Sequence, residues 1–444
     1  MLRCFALVLA VSLLPSLGYS QTNGPAAETA VAAAQVPTVE QPPGGVLPTE
    51  DVPQPPETTP GRRGMRAYWD DGLTIENDDA TYQVRLGAFL RVDGRFVPTG
   101  ALDGDNPDTL TMRLARVTVQ GRITKWFTYR VQPDFTSTVS PIADAFIDLG
   151  LSDAAHIRIG RDKVPIGFEN QLGDANLLFM ERGMPQNLTP SRDVGVQYYG
   201  TFHGDLLSYV GGMFNGAPDG SNATNVDTDN GKEFVGRIIS RPFTSRHGTV
   251  LEKLGLGLGL SRETQRGVRP SFKTSSQEDF FSYAPGVVSD GLHTRFAPQL
   301  FHYYKTLAFY SDYVRSKQVM RRGDVLAPLT HTSWQLAGAV ILTGETAGER
   351  VRPRHAFDPD AHTWGALQMT ARYGYVDIDE AAFTRGFASS ISSQHVKESV
   401  FGLIWFMTTN VKALFNYEHA RFEGGSAVNR APENAYLWRM QLNF

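Results

Sequence analysis

The chain has 444 residues, a formal charge of −4 and a mean hydropathy of −0.25. The length allows one large domain or a few ordinary ones, the charge excludes a polycation, and the hydropathy excludes a bundle of membrane helices. Nine lysines leave thirty-three arginines among the 42 basic residues, a surplus of side chains that stay charged and offer a planar fork to phosphate or carboxylate.

The first segment, MLRCFALVLAVSLLPSLGYS, has a basic Arg3, an apolar run from Cys4 to Leu14, and small residues Gly18 and Ser20. This pattern predicts an export signal over residues 1–20. Cys4 is the only cysteine, so the exported chain would form no disulfide and cannot be a small stapled scaffold. Residues 21–66, with QPPGGVLPTEDVPQPPETTPG at their densest, hold little that could bury a core. They read as a disordered tether. No later stretch offers about 18 consecutive apolar residues, so membrane insertion would require a barrel.

From residue 67 to 444 the pattern is alternation. In TYQVRLGAFLRVDGRF, Tyr82, Val84, Leu86, Ala88, Leu90 and Val92 share one face, and Gln83, Arg85, Arg91, Asp93 and Arg95 the other, with Phe89 the exception. In WFTYRVQPDF, Phe127, Tyr129 and Val131 oppose Thr128, Arg130 and Gln132; in GALQMTARYGYV, Leu367, Met369 and Tyr373 oppose Gln368, Thr370 and Arg372. Side chains on a strand alternate between faces. Many long alternating strands with aromatic residues near their ends fit a transmembrane barrel, apolar outside and polar within.

Sixteen candidate strands fall at 82–96, 109–123, 126–136, 142–151, 154–161, 194–201, 206–214, 233–241, 253–262, 294–301, 305–316, 332–343, 362–376, 396–407, 410–420 and 434–444. An even number puts both ends of the barrel domain on one side, and connections should alternate short and long. The stretch GETAGERVRPRHAFDPDA (344–361) breaks that rule, being long where a short turn is expected. The last strand ends on Phe444; in a closed barrel it would pair with the first and expose no edge.

Enzyme signatures do not emerge. GLGLGLSR (255–262) alternates strictly and lacks the spacing of a nucleotide loop; ten histidines show no metal-binding spacing, and no nucleophile elbow occurs. No cofactor and no nucleic-acid partner is expected.

WDDGLTIENDDATYQVRLGAFLRVDGRF, FMERGMPQNLTPSRDVGVQ, LTGE (342–345), ARYGYVDI, GLIWFMTTNVKALFNYEHA and the terminal strand together resemble the phosphate-selective porin O and P family over about residues 68–444. The resemblance implies a sixteen-stranded outer-membrane barrel, usually trimeric and anion-preferring. It also implies loops after the fifth and ninth strands, and a segment after LTGE, that fold into the lumen. Phosphate binders of that family open the second strand with two arginines; here Arg116 matches the second and Ala115 stands at the first. An expected lysine falls at Asn170, and an acidic constriction residue at Ala143 beside Asp144. The terminal Phe444 resembles the signal read by the barrel-assembly machinery.

On this reading the anion pathway would use Arg85, Arg91, Arg116, Arg130 and Arg439 from the wall. Arg266, Arg269, Lys273, Arg350, Arg352 and Arg354 would contribute from inserted loops, and Asp93, Asp134, Asp144 and Glu418 would hold some of the arginines. The solutes expected are small anions, phosphate or polyphosphate first. The alternatives are a general or sugar-permeable porin, a structural barrel anchor, a barrel enzyme and a secreted soluble β-protein.

Overall fold

The computed structural model describes residues 64–99, 108–137, 140–222, 230–427 and 430–444. The export signal and almost all of the tether lie outside them. The first strand starts at Met65, two residues inside the segment read as tether.

Strands β1 (Met65–Trp69) and β2 (Leu73–Asn77) form a hairpin. Next come β3 (Gln83–Thr99), β4 (Thr109–Arg122), β5 (Phe127–Pro133), β6 (Ile142–Ser152) and β7 (Ala155–Lys163). They are followed by β8 (Arg192–Phe202), β9 (Leu207–Phe214), β10 (Glu233–Ser240) and β11 (Leu254–Gly267). A separate short pair, β12 (Phe272–Lys273) and β13 (Asp279–Phe281), precedes β14 (Val287–Tyr304), β15 (Leu307–Arg322) and β16 (Val325–Ile341). The series ends with β17 (Ala366–Asp377), β18 (Ser393–Phe406), β19 (Val411–Gly425) and β20 (Glu433–Asn443).

Apart from the β1–β2 hairpin and the β12–β13 pair, these strands pair antiparallel in chain order, and β20 returns to β3 with Trp438 opposite Gly94 and Asn443 opposite Phe89. The result is a closed sixteen-stranded barrel. Alternation sets its two faces. On β20, Tyr436, Trp438 and Met440 are exposed outside while Ala435, Leu437, Arg439 and Gln441 are buried within. On β11, Leu256, Leu258 and Leu260 face out and Ser261, Glu263 and Gln265 face in.

The hairpin lengthens the wall. Leu73 on β2 lies opposite Leu86 on β3. Just beyond, Phe444 exchanges backbone hydrogen bonds with Ala88, both 3.0 Å. β2 therefore continues the line of β20 along the same edge of β3, and the rings of Trp69 and Phe444 sit 5.1 Å apart. Phe444 thus closes the seam between β20 and β3, with the hairpin next along β3.

β15 and β16 run further than expected and are joined only by Gly323 and Asp324. The β15 extension carries Lys317, Arg321 and Arg322, and along both extensions Met320, Ala327 and Leu329 are buried on the inner side. These apolar side chains pack on the 268–286 loop inside the barrel, so the apolar-out, polar-in pattern that marks the spanning part does not extend there.

The apolar core lies inside the barrel. Phe168, Leu177, Leu178, Phe179 and Met180 of the 164–191 loop pack on Tyr310, Ala337, Val400, Ile404, Leu414 and Leu437 of the inner wall. Ala347 and Val351, from the segment after LTGE, join them. Met184 and Leu188 meet Phe272, Phe280 and Phe281 of the 268–286 loop. Each large apolar side chain buried this way contributes roughly 1.5–3 kcal/mol. All three insertions implied by the family resemblance are thus present. They pack chiefly on the inner wall of β14–β20, with Phe214 of β9 and Val235 of β10 joining the core.

Candidate functional site

The loop of residues 164–191 positions the site. Gly167 opens it in a left-handed conformation (φ 75°) that a larger residue would strain. Asn170 is buried, and its amide donates to the carbonyls of Val164 (2.9 Å) and Pro190 (3.0 Å), tying the two ends of the loop together. Glu169 accepts from the Gly183 amide at 2.7 Å and from Gln335 at 2.8 Å. Asp312 on the wall accepts from the Phe168 amide at 2.9 Å. Asn170, at the position where the resemblance placed a lysine, is a brace of the loop.

Two loop carboxylates collect the wall arginines. Asp174 meets Arg116 at 2.6 Å, Arg192 at 3.2 Å and Lys163 at 3.8 Å, and also pairs with Arg182. Glu181 meets Arg95 at 3.0 Å, Arg113 at 3.0 Å and Arg439 at 3.4 Å. Wall carboxylates complete the clamps: Asp134 holds Arg116 at 2.8 Å, Asp144 holds Arg192 at 2.8 Å, and Asp93 holds Arg439 at 2.7 and 2.6 Å. Burial by itself would raise the Asp174 carboxyl, but Arg192, Lys163, Arg182 and Arg116 hold it well below the usual carboxylate range. Burial likewise opposes ionisation of Glu181, and Arg113 and Arg439 override it. Charge-assisted contacts of this kind fix a loop more firmly than neutral ones.

Space remains on either side of these clamps. Toward the loop end of the barrel, a cavity of about 490 Å³ is lined by Arg91, Arg113, Arg116, Arg182, Arg192 and Lys273, against Asp134, Asp174 and Glu181. Toward the hairpin end, a cavity of about 330 Å³ is lined by Arg85, Arg122, Arg130 and Arg158 with Gln83, Gln120, Thr128, Tyr129 and Phe146; among the described residues no carboxylate lines it. A neighbouring one of about 360 Å³ shares Arg130 and Arg158 and reaches Asp144 and Lys163. The Lys163–Asp174–Arg192–Asp144 cluster lies between the two ends.

The structure sorts the candidates from the sequence. Arg85, Arg91, Arg116 and Arg130 line the cavities, and Arg439 stands inside on the Asp93 clamp. Arg91 donates to Gln441 at 3.2 Å and to the Asp174 carbonyl. Lys273 lines the loop-end cavity and pairs with Asp279 at 2.9 Å. Arg266 does not face the lumen. It shares the outward parity of Leu258 and Leu260, is exposed, and lies 3.5 Å from Asp290. Arg269 donates to the Arg266 carbonyl at 3.0 Å and lines none of these cavities.

Arg350, Arg352 and Arg354 line none of them either. Arg350 is taken by Asp71 in the hairpin turn, 2.5 and 2.9 Å away, and Arg352 is 3.8 Å from the same carboxylate. Arg354 turns to the carbonyl of Gly344. Among the acids, Asp93, Asp134 and Asp144 hold arginines, but Glu418 is buried and, among the described residues, neither of its oxygens has a hydrogen-bond partner. Arg372, on the same inner wall, is already shared by Glu169 and Glu398.

Sequence reasoning missed Arg113, Lys163, Arg182, Arg192, Asp174 and Glu181. Arg113 was hidden by a bulge: Arg91 faces Leu114 and Val92 faces Met112, so Arg113 is the extra residue, and its side chain departs from the alternation to reach Glu181. Lys163 stands two residues after Arg161, at the end of a strand whose alternation was read only as far as residue 161. The others sit in or beside an irregular loop, where no periodicity exists to assign a face.

A closed barrel with an apolar exterior, a charged lumen and a loop folded inside it is the architecture of an outer-membrane porin. The sequence profile of the phosphate-selective porin O and P family matches residues 85–278 and 305–444. The chain belongs to that family. No curated protein matches the chain as a whole. Among solved structures, the outer membrane channel DcaP of Acinetobacter baumannii superposes with a TM-score of 0.54 at 12% identity, over 83% of this chain and 99% of that one. The in-vitro folded OmpT of Vibrio cholerae, in its trimer form, gives 0.52 at 10% identity over 82% and 100%. An anion-selective porin from Comamonas acidovorans gives 0.50 at 13% identity over 81% and 99%. At these identities the likeness is one of fold.

Proposed function

We propose that this porin passes small anions by passive diffusion, phosphate or polyphosphate first, through the arginine-lined side of its lumen. The observation that carries the reading is the hairpin-end cavity, where Arg85, Arg122, Arg130 and Arg158 meet and, among the described residues, no carboxylate lines the space. A low-dielectric wall carrying one sign of charge focuses the field and raises the local concentration of the opposite ion. Guanidinium forks favour oxyanions over chloride through paired hydrogen bonds.

Family membership and the anion selectivity named for the Comamonas porin support the same assignment. Ala115 and Asn170 remove two basic residues that resemblance placed at the binding site, so phosphate should bind on the order of millimolar or more weakly. A homotrimer in the outer membrane, delivered by an export signal and assembled through recognition of Phe444, completes the proposal. It requires no cofactor and no chemical step.

The test is single-channel recording of purified protein in a planar bilayer, with the reversal potential read in asymmetric salt. Anion preference is the expected result. Cation preference in the unmutated channel overturns the proposal, and micromolar block by phosphate overturns the weak-binding part of it.

A further inference from the structure

The cations of this lumen are not alike. Around the inserted loop, Arg95, Arg113, Arg116, Arg192 and Arg439 each touch a carboxylate within 3.4 Å. Their charge is largely cancelled, and they serve to hold the loop.

Toward the hairpin end Arg158 is paired with Asp148 at 2.8 Å and with Asp162 at 2.5 Å, but its neighbours have mainly neutral partners. Arg130 donates to Gln120 at 2.9 and 2.7 Å and keeps 3.8 Å from Asp144. Arg237 donates to Gln299 at 3.0 Å, Arg85 reaches only the Asp70 carbonyl at 3.5 Å, and Arg122 makes no ion pair among the described residues. Guanidiniums without a close carboxylate therefore gather around these two adjacent cavities, although Asp144 and Asp162 also line the larger one.

Beside that charge lies an apolar wall. On β8, β9 and β10 the inward row Tyr199–Val210–Arg237 is followed by the row Thr201–Ser208–Ile239. Tyr199, Val210 and Ile239, with Pro165 at the root of the inserted loop, line the larger cavity of about 360 Å³. The Phe146 ring lies under Arg158, 4.2 Å from its centroid, where the two cavities meet. Inorganic phosphate gains nothing from such a wall. A solute with one anionic head and an apolar body gains from both parts.

We propose that the hairpin-end chamber is a subsite for small amphipathic organic anions, carboxylates bearing an aromatic or branched aliphatic body. The head sits at Arg130 and Arg237, and the body lies against Tyr199, Val210 and Ile239, all of which line the larger cavity. The inference rests on the anion-channel reading and names a further class of solute for it.

Benzoate, acetate and inorganic phosphate, each titrated against chloride current in a planar bilayer, test the assignment. Benzoate should block at about one tenth of the acetate concentration, the gain expected from partly burying a ring. In the Val210→Thr/Ile239→Thr variant, whose β-branched replacements suit the strands, the two should converge. Equal block by benzoate and acetate in the unmutated channel overturns the subsite even if the double variant fails to assemble. Benzoate block that survives the double substitution overturns the assigned wall. Either result leaves anion selectivity standing, whereas a cation-selective reversal potential removes the parent reading.

Discussion

Arg113 and Glu181 lie 68 residues apart in sequence and meet fork to fork, with guanidinium nitrogens 3.0 and 3.2 Å from the two carboxylate oxygens. The bulge that sets Arg113 out of step with β4 makes the contact possible, and it pins the tip of the inserted loop to the wall. Glu181 also draws in Arg95 and Arg439. Glu181→Gln should therefore release Arg95 and Arg113, leave Arg439 on Asp93, and loosen the loop. The reversal potential should move further toward chloride and open-channel noise should rise; a shift toward cations would contradict this account.

Arg116 and Arg266 should behave oppositely. Arg116 is buried between Asp134 and Asp174, and its removal leaves buried carboxylates uncompensated; breaking such a pair costs about 3–5 kcal/mol. Arg116→Ala should lower stability and move the reversal potential toward cations. Arg266 is exposed and points outward, where solvent and salt screen it. Arg266→Ala should leave the reversal potential where it was, and a shift as large as that of Arg116→Ala would show that Arg266 reaches the lumen.

The seam offers an assembly test. Phe444 pairs with Ala88 and packs on Trp69, whereas Asn443 lies within reach of Gln441 on the inner side. Phe444→Asp should reduce the yield of folded, heat-modifiable barrel far more than Asn443→Asp. Equal yields would dismiss the terminal ring as a determinant of assembly.

The hairpin turn should depend on a single clamp. Arg350 binds Asp71 through both terminal nitrogens and, first through that hydrogen bond, keeps the Asp71 carboxyl below its ordinary value. Arg350→Ala should expose the turn around Asp71 to limited proteolysis while the barrel keeps its resistance to unfolding in detergent. Unchanged cleavage would mean that β2–β3 pairing alone holds the hairpin.

Acid should loosen the inserted loop only late. Asp174 and Glu181 have folded-state pKa values lowered from 3.8 and 4.5. Their stabilisation is then fully present above those ordinary values and is lost as pH falls through the lowered ones. Current noise should stay level from neutral pH down to the ordinary carboxylate range and rise only below it. A transition near pH 6 would assign control of the loop to other groups.

Alternation along the chain determined the barrel, the sixteen strands, the outward Trp438 and Met440 and the inward Arg91, Arg116 and Arg439, because the two-residue period of a strand ties each side chain to lipid or lumen. The same rule failed where the period breaks. Arg113 entered the lumen through a bulge, while Arg266 kept the period and so faced outward although it was read as part of an inserted loop. Asp174 and Glu181 had no period to be read from. Which arginines are cancelled and which stay free was decided by tertiary structure alone. That depends on where one irregular loop places two carboxylates, and the loop's position is fixed by apolar contacts with β14–β20, far along the sequence.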